Sequence, residues 1–128
     1  MHCEIRGNLV CSLNKMEIKY HKQLAESGKW FELSILEQMG NIGSEVGRAA
    51  KWQGKDERNF RGAVERALEL FDLTLEDPRW RGMGRWREIA TVRMLFCRAV
   101  EGDNEYKTSL NDLDKYFLQF AFAARKNI

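Results

Sequence analysis

Histidine is almost missing from this chain, with only His2 and His21 among its 128 residues. Helical bundles that hold paired iron or manganese ions need Glu-x-x-His on facing helices, so two histidines near one end exclude that pattern. The three cysteines, Cys3, Cys11 and Cys97, form no CxxC and have no paired histidines beside them. Neither a zinc site nor a disulfide framework is indicated, and reduced thiols suit the cytoplasm. The single proline, Pro78, leaves little to interrupt long helices. No apolar run approaches the roughly 18 residues of a membrane span, and a signal-peptide core is lacking. The expected location is therefore cytoplasmic, with no membrane partner. An excess of one charge is missing too: 21 basic residues against 19 acidic ones leave +2. Attraction to nucleic acid would have to come from a local patch.

What is present is helical periodicity. From Ser34 to Trp52, Ile35, Met39, Ile42, Val46 and Ala49 recur with the 4-3-4-3 spacing of one buried stripe. Ser34 and Glu37 form a capping-box start, with Trp30 and Phe31 placed to staple the chain onto the first turn. Beside the stripe runs a row without side chains, Gly40, Gly43 and Gly47. Such a row costs on the order of 1 kcal/mol of helix propensity per glycine and makes sense where another backbone or ring approaches. The other flank, Gln38, Asn41, Glu45 and Arg48, is polar and should be solvated or face a cleft. A second helix is predicted over about 56–76, ended by Asp77-Pro78, a third over about 85–101, and a fourth from the Ser109/Asp112 start. The third should bury Trp86, Ile89, Phe96, Cys97 and Val100, with Arg93 in the middle of that face. The fourth should bury Leu110, Leu113, Phe117, Phe120, Ala121 and Ala124.

Short connections favour antiparallel neighbours. The expected fold is all-α: one up-and-down four-helix bundle over residues 34–128, behind an irregular or partly helical extension over 1–33. A helix over about 14–26 is predicted there, and Met16 offers an alternative start that would leave 1–15 outside the fold.

No complete catalytic constellation is visible, and neither a metal nor another cofactor is implied. Glu69-x-x-Asp72 supplies half of a magnesium-binding carboxylate pattern, but by helical phase both acids, with Arg61 and Glu65, should lie on a solvated face. Cys97 reads as a small core hydrophobe. The segment 79–87 holds four arginines and two tryptophans without an acid. Arg79, Trp80, Arg81, Arg85 and Arg87 are therefore candidates for binding an anion or nucleic acid by forked hydrogen bonds and stacking. The competing reading has the tryptophans capping the bundle and the arginines pairing with Glu76, Asp77 and Glu88. Arg93 needs a carboxylate, because an unpaired buried charge costs several kcal/mol; Glu45 and Asp114 are the candidates. A polar pocket of Asn41, Glu45, Arg48, Arg93 and Tyr106 is the sharper alternative. Leu118 and Phe122, one turn apart on the outer side of the fourth helix, are either covered by the N-terminal segment or form, with the glycine row, a candidate interface.

The blocks EQMGNIGSEVGRA, ERALELFDLTLEDPRW, GDNEY and KYFLQFAFAAR together resemble a family of short, uncharacterised bacterial and archaeal helical proteins, over about residues 30–125. That resemblance implies no established activity and places residues 1–29 outside the shared part. A remoter likeness is to the HEPN-type bundles that accompany nucleotidyltransferases. Their Arg followed four to six residues later by His is absent here, so nuclease activity does not carry over. The expected function is a non-enzymatic helical module acting by protein binding or as a homodimer. The alternative is a nucleotide- or RNA-binding bundle working with a nucleotidyltransferase-type partner.

Overall fold

The computed structural model describes residues 19–82, 84–102 and 107–126. Among them the chain is all-α: a short helix α1 (Lys22–Ser27), a 3-10 turn (Lys29–Glu32), and four long helices, α2 (Ile35–Trp52), α3 (Glu57–Leu75), α4 (Gly84–Glu101) and α5 (Leu110–Lys126). Their starts follow from local chemistry. At α2, Ser34 accepts from the Glu37 amide and the Glu37 carboxylate accepts from the Ser34 amide. At α3, Asp56 accepts from the Asn59 amide, and at α5 Ser109 and Asp112 exchange the same reciprocal pair of bonds as Ser34 and Glu37.

Pairings along the chain make neighbours antiparallel. Glu45 meets Arg66 and Gln38 meets Asp77 between α2 and α3, while Asp72 meets Arg93 between α3 and α4. Helix α2 packs on both α3 and α5, and α4 closes the bundle against the same two. The core is built on Ile42, Val46, Leu68, Phe71, Phe96 and Phe117. The Phe71 ring lies 5.7 Å from Phe96 and 6.1 Å, edge-on, from Phe117, in the tilted arrangements that ring quadrupoles favour. Cys97 is buried in this core.

The glycine row is where α5 docks. Gly40 faces the backbone of Ala121, Gly43 carries Phe117 against it, and Gly47 faces the Asp114 carboxylate. The expectation of a close backbone or ring is met at Gly40 and Gly43, while Gly47 meets a carboxylate instead, and in each case the partner is within the chain.

Four expectations are corrected. Trp86 is 41% exposed, because its indole N–H reaches out along the bundle end to the Leu75 carbonyl. The polar flank of α2 is not solvated throughout: Gln38 and Glu45 are buried because α3 lies against them. Glu69 is buried rather than solvated, covered by the segment that precedes α1. Arg93 pairs with Asp72 at 2.9 Å, not with Glu45 or Asp114, since α4 faces α3 at that level.

Segment 19–33 is strapped onto the bundle. Trp30 is 2% exposed and its indole donates to Thr74 on α3, so the residue that the sequence marks as a staple reaches the core itself.

Candidate functional site

Two polar networks occupy the interior. At one end of α2, the Gln38 side-chain amide donates to the Trp30 carbonyl and to Asp77, while its oxygen accepts from the Trp80 indole. Asp77, fully buried, also accepts from the Arg79 amide and guanidinium, and Arg79 bonds the Leu33 carbonyl and covers the Trp80 ring. Burial alone would raise the Asp77 carboxyl, but the bonds from Arg79 and Gln38 outweigh it and hold the group below the usual carboxylate range. Asp77-Pro78-Arg79-Trp80 is thus a knot tying the end of α3 to the start of α2.

The second network holds Glu69, whose side chain is 1% exposed. Its carboxylate accepts from the backbone amides of Lys19, Tyr20 and His21 and is 2.8 Å from His21 Nδ1. The carboxylate stands where an anion would bind successive backbone N–H groups, and it fastens the strap to α3. Glu69→Gln keeps the volume but replaces one acceptor oxygen with a donor that faces other donors. We expect it to cost roughly 1–3 kcal/mol and to release the strap first. Amide hydrogen exchange would read this as lost protection at Tyr20 and His21 with Leu68 and Phe71 still protected; unchanged protection at Tyr20 would refute the fastening role.

The candidate pocket residues do not meet in one place. Glu45 accepts from Arg48 and Arg66 at 3.0 Å each, Asn41 bonds back to the Glu37 carbonyl, and Arg93 belongs to the α3–α4 seam with Asp72 and Cys97. Tyr106 lies outside the described residues. Of the arginine-tryptophan strip, Arg79 and Trp80 are engaged in the Asp77 knot. Arg81, Arg85 and Arg87 stay exposed and join no salt bridge among the described residues.

Among the described residues, a shallow open depression is lined by Ile35, Met39, Arg85, Glu88, Ile89 and Phe120. It encloses no space that a small molecule could fill, unlike the concave pockets that bury most of a ligand's surface. Beside it Tyr116 donates to Glu88, and burial first, then that carboxylate, pushes the phenol upward. Among the described residues no group of three or more His, Cys, Asp or Glu could hold a metal, and no helix is long and apolar enough to cross a membrane.

The outward face of α5 carries the two most exposed large apolar side chains among the described residues, ahead of Tyr20, Trp86 and Met94. Leu118 is 45% exposed and Phe122 53%, with the Arg125 guanidinium over the Phe122 ring at 5.5 Å. These two side chains are one turn apart on a helix whose opposite side, Leu113 and Phe117, is in the core. No protein-family model, curated protein or solved structure matches the chain.

Proposed function

We propose that the chain is a non-enzymatic helical interaction module that binds another protein, or a second copy of itself, through the outer face of α5 where it adjoins α2. The observation that carries this reading is the adjacent exposed pair Leu118 and Phe122, on a helix already anchored by its other side. Its support is also negative in kind. The buried acids Asp77, Glu69 and Glu45 are each engaged in bonds that tie helices or the strap together, so they serve the fold.

A photoreactive benzophenone side chain placed at Leu118 in the producing cell tests it. A discrete adduct should form there and not from the same group at Thr91, which is exposed on α4, and Phe122→Ser should abolish it. An adduct of twice the chain mass would identify a second copy. Equal labelling from Leu118 and Thr91, or none from either, would count against the module.

A further inference from the structure

The α2–α5 seam is close because the glycine row brings no side chains to it, with Phe117 lying directly on Gly43. The antiparallel register that sets Gly40 against Ala121 and Gly47 against Asp114 carries Leu118 past Ser44. The outer side of the seam is therefore floored by small residues, Gly40 and Ser44, with Leu118 and Phe122 rising along one edge. That is the relief of a helix pair ready to take the ridge of a third helix.

Charge around it is mainly basic, the half-buried Asp114 over Gly47 being, among the described residues, the one acid in the seam itself. The exposed cations of the two helices are Arg48 and Lys51 on α2 with Lys115, Arg125 and Lys126 on α5; the exposed acids are Glu37 and Asp112. Both acids are held in capping bonds to their own chain, Glu37 by the Ser34 amide and Asp112 by the Ser109 amide. The cations are less occupied. Arg48 shares Glu45 with Arg66, whereas Lys51, Lys115, Arg125 and Lys126 join no salt bridge among the described residues.

The geometry points to an acidic amphipathic helix as the occupant of this seam: apolar residues one turn apart against Leu118 and Phe122, flanked by Asp or Glu facing Lys115, Arg125, Lys126 and Lys51. The inference rests on the interaction reading above and names the chemistry of its partner. A second copy fits poorly, because antiparallel pairing of two α5 helices about Leu118 and Phe122 would set Lys115 against Arg125, like charge against like. A bilayer fits poorly as well, since a flat surface reaches the two apolar side chains but not the small-residue floor.

The test uses the full chain and two fluorescent helical peptides with the same leucine face, one flanked by glutamates and the other by lysines. Polarisation should show the glutamate peptide binding and the lysine peptide not. The combined change Lys115→Glu, Arg125→Glu and Lys126→Glu should weaken the glutamate peptide at least about tenfold and admit the lysine peptide. All three positions are exposed, but Arg125 and Lys126 lie in the last turn of α5, where acids oppose the helix dipole. Circular dichroism of the variant is therefore compared with that of Lys115→Glu alone, which should lose the glutamate peptide in part with helicity intact. Phe122→Ser should weaken the glutamate peptide as well. Equal binding of both peptides, no binding of either, or indifference to charge reversal would overturn the acidic partner. So would capture of the chain by phosphatidylserine vesicles without binding of the glutamate peptide. If the peptides fail while the Leu118 adduct persists, only the partner's chemistry falls. If both fail, the interaction reading falls with it.

Discussion

Gly43→Ala should unfold the protein more readily by roughly 1–3 kcal/mol, the cost of overpacking a filled site, and Gly43→Leu should cost more. A Cβ built on Gly43 would sit 2.6 Å from the Phe117 Cβ. That atom is fixed to the α5 backbone, so a rotamer change cannot relieve the clash; the helices must separate. Phe117 in turn packs on Phe71, and separation would open the core. The neighbouring glycines are internal controls. At Gly40 the added Cβ meets Ala121 at 3.7 Å, an ordinary contact, so Gly40→Ala should gain up to about 1 kcal/mol from helix propensity. At Gly47 the near atom is a carboxylate oxygen of Asp114, 2.9 Å away, which can swing aside, so Gly47→Ala should fall between them. Chemical denaturation of the three variants would show this order. A Gly43→Ala protein as stable as the parent would mean that the seam is looser than the structure has it.

Asp77→Ala should be the most damaging single change among the polar residues. It leaves the Gln38 amide, the Arg79 backbone N–H and the Arg79 guanidinium without their acceptor at a fully buried position. Breaking a buried pair by removing one partner costs about 3–5 kcal/mol. Because the Arg79 side chain is 38% exposed and water can take up part of its charge, the expectation is lowered to roughly 2–4 kcal/mol. The same carboxylate gives stability a pH dependence with a definite sign. Its folded pKa lies below the ordinary 3.8, so the unfolded chain binds the proton more readily and stability rises with pH in that range. The contribution is complete above the unfolded value and is lost as pH falls from about 3.8 through the folded pKa. In Asp77→Asn that part of the acid slope should vanish. Urea titrations at a series of acidic pH values would read it, and a parent and variant with parallel acid slopes would refute the assignment.

The four long helices, the caps of α2 and α5 and most of the buried faces were legible in the sequence because they are local. Ile35 to Ala49 repeat with the helical period, and Ser34-Glu37 and Ser109-Asp112 close capping bonds within one turn. The glycine row was legible for a related reason: glycines inside a helix cost propensity, so some close neighbour had to be there. Which neighbour was decided by packing, through the register that brings Phe117 to Gly43. The fate of the charged residues was likewise beyond a single helix. Helical phase gave the direction of Arg93 but not the acid it would meet, since Asp72 comes from α3. Phase placed Glu69 outside, and it is outside α3's own core face; the strap, which has no period to betray it, converts that outside into an interior by offering three amides and a histidine. The pairing of Arg79 with Asp77 was one of the two readings open from the sequence; what only packing decided is that Asp77 and Gln38 meet across 39 residues of sequence. Periodicity and capping act within a turn or two of chain, whereas the pairing of buried charges depends on which helices share a seam, and only the folded bundle sets that.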